Sequence, residues 1–111
     1  VTPPPGATPD AVTATFTWDP VLQKVKIIWS APTGTNISQI EIRFCAGPIY
    51  DTNTENVIGN VTPGAPREFF TDHGLPAPGH VGSFKVYVIT DTGNEKGSNT
   101  LVVTRPDMPI P

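Results

Sequence analysis

With 111 residues the chain has the length of one domain, and 37% hydrophobic against 15% charged residues predicts a folded core and not a disordered chain. Ten acidic against 7 basic residues leave a net charge of −3, which removes the electrostatic drive toward phosphate backbones, so no nucleic-acid partner is expected. No stretch approaches the ~18 apolar residues of a membrane span and no basic-then-apolar leader opens the chain, so membrane insertion is not expected and any secretory leader would lie upstream.

The 14 prolines and 10 glycines punctuate the sequence into many short elements. Residues 1–10 hold Pro3, Pro4, Pro5, Gly6 and Pro9, a composition that favours an extended spacer. Residues 11–105 form the expected domain, and residues 106–111, with Pro106, Pro109 and Pro111, a second spacer. Such brackets suggest a module of a larger chain.

Within the domain, apolar residues at every second position mark strands, because successive side chains point to opposite faces. Val12, Ala14, Phe16 and Trp18 alternate with threonines, and Val25, Ile27 and Trp29 alternate with Lys24 and Lys26. Ile40, Ile42 and Phe44 alternate with Gln39, Glu41 and Arg43. Weaker runs lie at 56–59 and 67–71, a strong one places Phe84, Val86 and Val88 opposite Lys85, Tyr87 and Ile89, and the last spans 100–104. Val21 to Ala31, a long part of the domain free of Pro and Gly, shows no helical spacing. Seven strands and no helix predict an all-β, antiparallel β-sandwich. Cys45 is the only cysteine, so no intrachain disulfide can form, and a small buried hydrophobe is expected there in preference to a reactive thiol.

Several of these pieces stand in a familiar order. Trp29 is followed by Ser30-Ala31-Pro32 and then by the Ile40, Ile42, Phe44 alternation. Gly74-Leu75-Pro76 precedes the Phe84 to Val88 run, and Gly97-Ser98-Asn99 precedes the last run. Over residues 11 to 105 this resembles the fibronectin type III family, whose second strand carries a core Trp with Pro in the next loop. The resemblance implies a seven-stranded, immunoglobulin-like Greek-key β-sandwich without an active site. Phe84 departs from the Tyr usual in that family, and the turn before it is long. Phe cannot make the hydroxyl-to-backbone bond of a tyrosine corner. Tyr87 falls on the face opposite Val86 and Val88, so a remodelled corner, held by packing or another group, is expected in place of a displaced tyrosine.

Asp91-Thr92-Gly93 after an apolar strand is the triplet with which a dimeric aspartic protease shares a proton between two carboxylates. That family follows the triplet with a small residue, whereas Asn94-Glu95-Lys96 follow here, and Asp, Thr, Gly and Asn are ordinary hairpin residues. A hairpin is therefore expected. His73 and His80, with Asp72, have no further ligand at zinc or calcium spacing and read as exposed turn residues. No nucleophile elbow and no phosphate-binding glycine loop occurs, so neither enzyme activity nor any cofactor is expected. Asn36-Ile37-Ser38 and Asn60-Val61-Thr62 fit the N-glycosylation rule in expected loops and read as chance matches.

The resemblance places the loops 30–36 and 91–97 at one end of the sandwich. No Arg-Gly-Asp occurs. The outward face of the third and sixth runs would show Gln39, Glu41, Arg43, Lys85, Tyr87 and Ile89, an ordinary wet face open to a weak protein contact. Arg43, Tyr87, Thr92, Asn94, Glu95, Lys96 and His80 are the candidate contact residues. The expected role is a monomeric spacer or protein-interaction module of a secreted or cell-surface, multidomain protein. A polysaccharide-binding accessory module, stacking sugars on Trp18, Tyr50 and Tyr87, is the alternative.

Overall fold

The structure, a computed structural model, describes residues 9–34 and 36–107. Most of the two expected spacers, 1–8 and 108–111, lies outside the described residues, whereas Pro9 is already buried. Eight strands and no helix occur among the described residues. They are β1 (Ala14–Asp19), β2 (Lys24–Trp29), β3 (Ile37–Ala46), β4 (Asn56–Val61), β5 (Glu68–Thr71), β6 (Val81–Thr90), β7 (Glu95–Gly97) and β8 (Leu101–Thr104). One sheet has the order β1-β2-β5; the other has the order β4-β3-β6-β7, with β8 also paired to β6. Every pairing is antiparallel.

The eighth strand arises because Glu95 to Gly97, expected in a loop, pair as β7 ahead of the last expected run, which forms β8. β7 pairs with Tyr87 to Ile89 and β8 with Val81 to Phe84 of the same strand β6. Between them the Ser98 hydroxyl accepts the Val86 N–H at 2.9 Å, standing in for a ladder carbonyl. The freed Asn99 side chain crosses to the other sheet, accepting from the Ala14 N–H and donating to its carbonyl at 2.9 and 3.0 Å. That double bond caps one end of the open edge of β1, where unpaired backbone groups would otherwise invite another strand.

The alternation read from the sequence assigns the inner faces correctly. Val25, Ile27 and Trp29 from β2 meet Ile40, Ile42 and Phe44 from β3 and Phe84, Val86 and Val88 from β6, all buried. Phe16 and Trp18 lie on the same inner face but on the edge strand, so Phe16 stays 38% exposed. Asn60, expected in a loop, belongs to β4, opposite Glu41.

Between β5 and β6 the corner is remodelled, as its length suggested. Leu75 is fully buried, and the Phe84 ring, lacking a hydroxyl, packs 5.1 Å from Phe44 in a tilted pair. Gly74 sits at φ +73° directly against the Phe44 ring, so any side chain there meets both backbone strain and a clash.

Candidate functional site

The outer face of β3 and β6 is where the structure departs most from a wet sheet surface. Arg43 is 9% exposed and Tyr87 7%. The guanidinium lies 3.8 Å from the Tyr87 ring centroid, a stacked cation–π contact. All three of its nitrogens donate to carboxylates: Nε to Glu41 at 2.8 Å, Nη1 to Glu55 at 3.1 Å and Nη2 to Glu95. Glu41 is next but one on β3, Glu95 comes from β7, and Glu55 comes from the β3–β4 connection.

That connection, residues 47–55, folds back onto the face and covers it. Cys45 Sγ–H donates to the Asp51 carbonyl at 3.1 Å, which makes the thiol a buried packing group. Tyr50 donates its hydroxyl to Glu55 at 2.5 Å, and the Lys85 ammonium stands 5.2 Å from the Tyr50 ring centroid. Gln39 donates to the second oxygen of Glu41 at 2.5 Å. The Tyr87 ring lies over Gly97, its partner on β7, where an added Cβ would stand only 2.9 Å from the ring.

Burial raises the Tyr50 hydroxyl pKa well above that of a free tyrosine, and the bond to Glu55 raises it further. Tyr87 is raised for the same two reasons, burial first. Burial opposes the charge on Arg43, but the bonds and the attraction to Glu95 and Glu41 outweigh it and hold the guanidinium protonated. The one cation of this cluster is fully engaged by carboxylates of its own chain. Its chemistry is that of a fastener for the 47–55 connection.

Of the expected contact residues, the structure therefore brings together Arg43, Tyr87 and Glu95, but as a closed network and not as an open face. Periodicity of two showed which side these residues face and could not show that a loop would cover them. Tyr50 and Glu55 complete the network; their only sequence signal is a tyrosine and a glutamate in the segment after Gly47-Pro48. Lys96 is exposed on β7. Thr92 and Asn94 sit in a tight turn in which Thr90 N–H donates to the Asn94 carbonyl at 2.9 Å and Gly93 N–H to the Thr90 carbonyl at 3.0 Å. The Asp91-Thr92-Gly93 triplet is thus part of a hairpin turn. This turn is shorter than the expected 91–97 loop because Glu95 to Gly97 pair as β7. It does share an end with the β2–β3 loop, since Asp91 N–H donates to the Asn36 carbonyl at 2.9 Å.

His80 lies apart from that network, in the β5–β6 corner, where its carbonyl accepts the Arg105 N–H at 2.9 Å. His73 meets the Phe44 ring edge-on at 4.8 Å, and no group of three metal-ligating side chains occurs among the described residues. The three aromatics proposed as a sugar platform are not assembled. Trp18 is on the inner face of the first sheet with Arg105 5.3 Å from its ring centroid, while Tyr50 and Tyr87 belong to the network on the other sheet.

No protein-family model and no curated protein matches the chain. Solved structures do. The sixth fibronectin type III domain of human fibronectin type III domain containing protein 3 superposes with a TM-score of 0.69 at 17% identity, covering 95% of this chain and 92% of that one. A fourth human fibronectin type III domain matches at 0.65 and 24% identity, covering 95% and 88%. Pectate lyase PelI from Erwinia chrysanthemi, solved in complex with tetragalacturonic acid, matches at 0.67 and 14% identity over 84% of this chain but only 28% of the lyase. The chain therefore spans little more than a quarter of that enzyme's length. With its two antiparallel sheets and the two human domains matched over nearly their whole length, the chain has the fold of a fibronectin type III domain.

Proposed function

We propose that this domain is a non-catalytic module that holds neighbouring parts of a longer secreted or cell-surface protein apart, end to end. The observation that supports it most is the placement of its two ends at opposite poles. Asp10 accepts a hydrogen bond from Thr33 at 3.0 Å, beside the β2–β3 loop. Arg105 bonds Gln23 at 2.9 Å, in the β1–β2 turn. The six residues of β1 run from one pole to the other, roughly 20 Å at ~3.3 Å per residue. A chain entering at one pole and leaving at the other keeps its neighbours separated by the length of the sandwich. Small-angle scattering of two copies joined end to end tests this: a maximum dimension near twice that of one copy supports the reading, and a pair folded side by side overturns it.

A second reading, an accessory module for polysaccharide, is favoured by the match to part of a pectate lyase. It needs an exposed sugar-binding surface other than Trp18, Tyr50 and Tyr87. Retention of the chain on insoluble polygalacturonate supports it, and free elution counts against it.

A further inference from the structure

We infer that Arg105 is the corner pin of this domain, taking the fastening role that a tyrosine hydroxyl plays in a tyrosine corner and fixing the direction in which the chain leaves. Phe84 leaves the β5–β6 corner without a hydroxyl to hold its backbone. Arg105, one residue beyond β8, supplies the missing donor from another part of the chain. Its Nη1 donates to the Leu75 carbonyl at 2.6 Å, and Leu75 is the fully buried residue at the centre of the corner. Its Nη2 donates to Gln23 Oε1 at 2.9 Å, so one planar fork joins the corner to the β1–β2 turn. The guanidinium also packs 5.3 Å from the Trp18 ring centroid.

The backbone of the same residue closes the arrangement. Arg105 N–H donates to the His80 carbonyl at 2.9 Å, and Gly79 N–H donates to the Arg105 carbonyl at 3.0 Å. Arg105 is thus tied to two connections distant in sequence: the turn at Gln23, and the β5–β6 corner at both Leu75 and residues 79–80. Gln23 is itself positioned for this role: it holds φ +56°, and its Nε2 donates to the Pro20 carbonyl at 2.7 Å while its oxygen accepts from Arg105. A lysine has a single ammonium where the arginine has a fork and cannot match both acceptors in the same geometry. The consequence for a spacer rests on the end-to-end reading above; the pin itself does not.

Two measurements on the isolated chain test the pin. Hydrogen exchange at the amides of Gly79 and residue 105 is expected to quicken about tenfold or more in both Arg105→Lys and Arg105→Ala, with the Ile42 amide of β3 little changed, because the loss opens a local unit. Unchanged protection in either variant, or an equal loss in β3, overturns the inference. Should Arg105→Ala not fold, Arg105→Lys and Gln23→Ala carry the test. In a Cys45→Ser background, spin labels at Val21→Cys and Asp107→Cys are expected to show a narrow distance distribution that broadens with Arg105→Lys; equal breadth overturns the claim about exit direction. The scattering of joined wild-type copies is a separate result, so failure of the spacer reading and failure of the pin are distinguishable.

Discussion

Replacing Arg43 with Met isolates the fastener on the outer face. The substitution keeps an unbranched apolar stem beside Tyr87 but removes every N–H donor and the positive charge. Glu41 and Glu55, with side chains only 13% and 18% exposed, lose their shared cation; Glu95, at 43%, can turn into water. Removing one partner of a buried ion pair costs about 3–5 kcal/mol, and the exposure of Glu95 argues for the lower end, about 3 kcal/mol. At this domain size ~1 kcal/mol shifts the melting temperature by about 4–5 °C, so Arg43→Met is expected to melt roughly 12–15 °C lower by calorimetry or circular dichroism. Glu95→Gln, at the exposed end, is expected to cost under about 1 kcal/mol. Combining Arg43→Met with Glu41→Gln and Glu55→Gln is expected to restore much of the loss, because no unpaired charge is then left. An Arg43→Met protein that loses less than about 1 kcal/mol would show that this network is ordinary surface charge, and the outer face would again be an open candidate for binding.

Three further outcomes follow from the same geometry. The chain has two tyrosines, so a spectrophotometric titration reads Tyr50 and Tyr87 alone. Both have folded-state pKa values raised above the unfolded value of about 10, so their contribution to stability is complete below that pH and lost as pH rises beyond it. Tyrosinate absorbance is expected to appear late and together with alkaline unfolding; an early, non-cooperative rise in the folded protein contradicts this. Gly74→Ala combines a left-handed backbone with contact against the Phe44 ring and is expected to cost about 2–4 kcal/mol in urea unfolding. Cys45, 3% exposed and bonded to the Asp51 carbonyl, is expected to resist a thiol reagent until the domain unfolds; rapid native labelling would show that the 47–55 connection opens.

What could be read in advance, and what could not, divides along a physical line. Alternation in Val25 to Trp29, Ile40 to Phe44 and Phe84 to Val88 is a local property of extended backbone, since each side chain's face follows from its neighbour's. From it came the all-β class, the core and the inward side of each strand, and the order of Trp29, Pro32, Leu75 and Phe84 sufficed for the family resemblance. The same alternation put Arg43 and Tyr87 on the outer face without showing that this face is closed. Their burial depends on Tyr50 and Glu55 folding back from the β3–β4 connection and on Glu95 arriving by the pairing of β7 with β6. The absence of a tyrosine hydroxyl at Phe84 was equally plain, whereas its replacement was not. Arg105 reaches Gln23 across 82 positions and Leu75 across 30, contacts set by sheet register and loop closure. The sequence by itself determined which way each strand faces; only the tertiary structure decided which charges meet, because a polar side chain takes its partner from whatever the fold brings within reach.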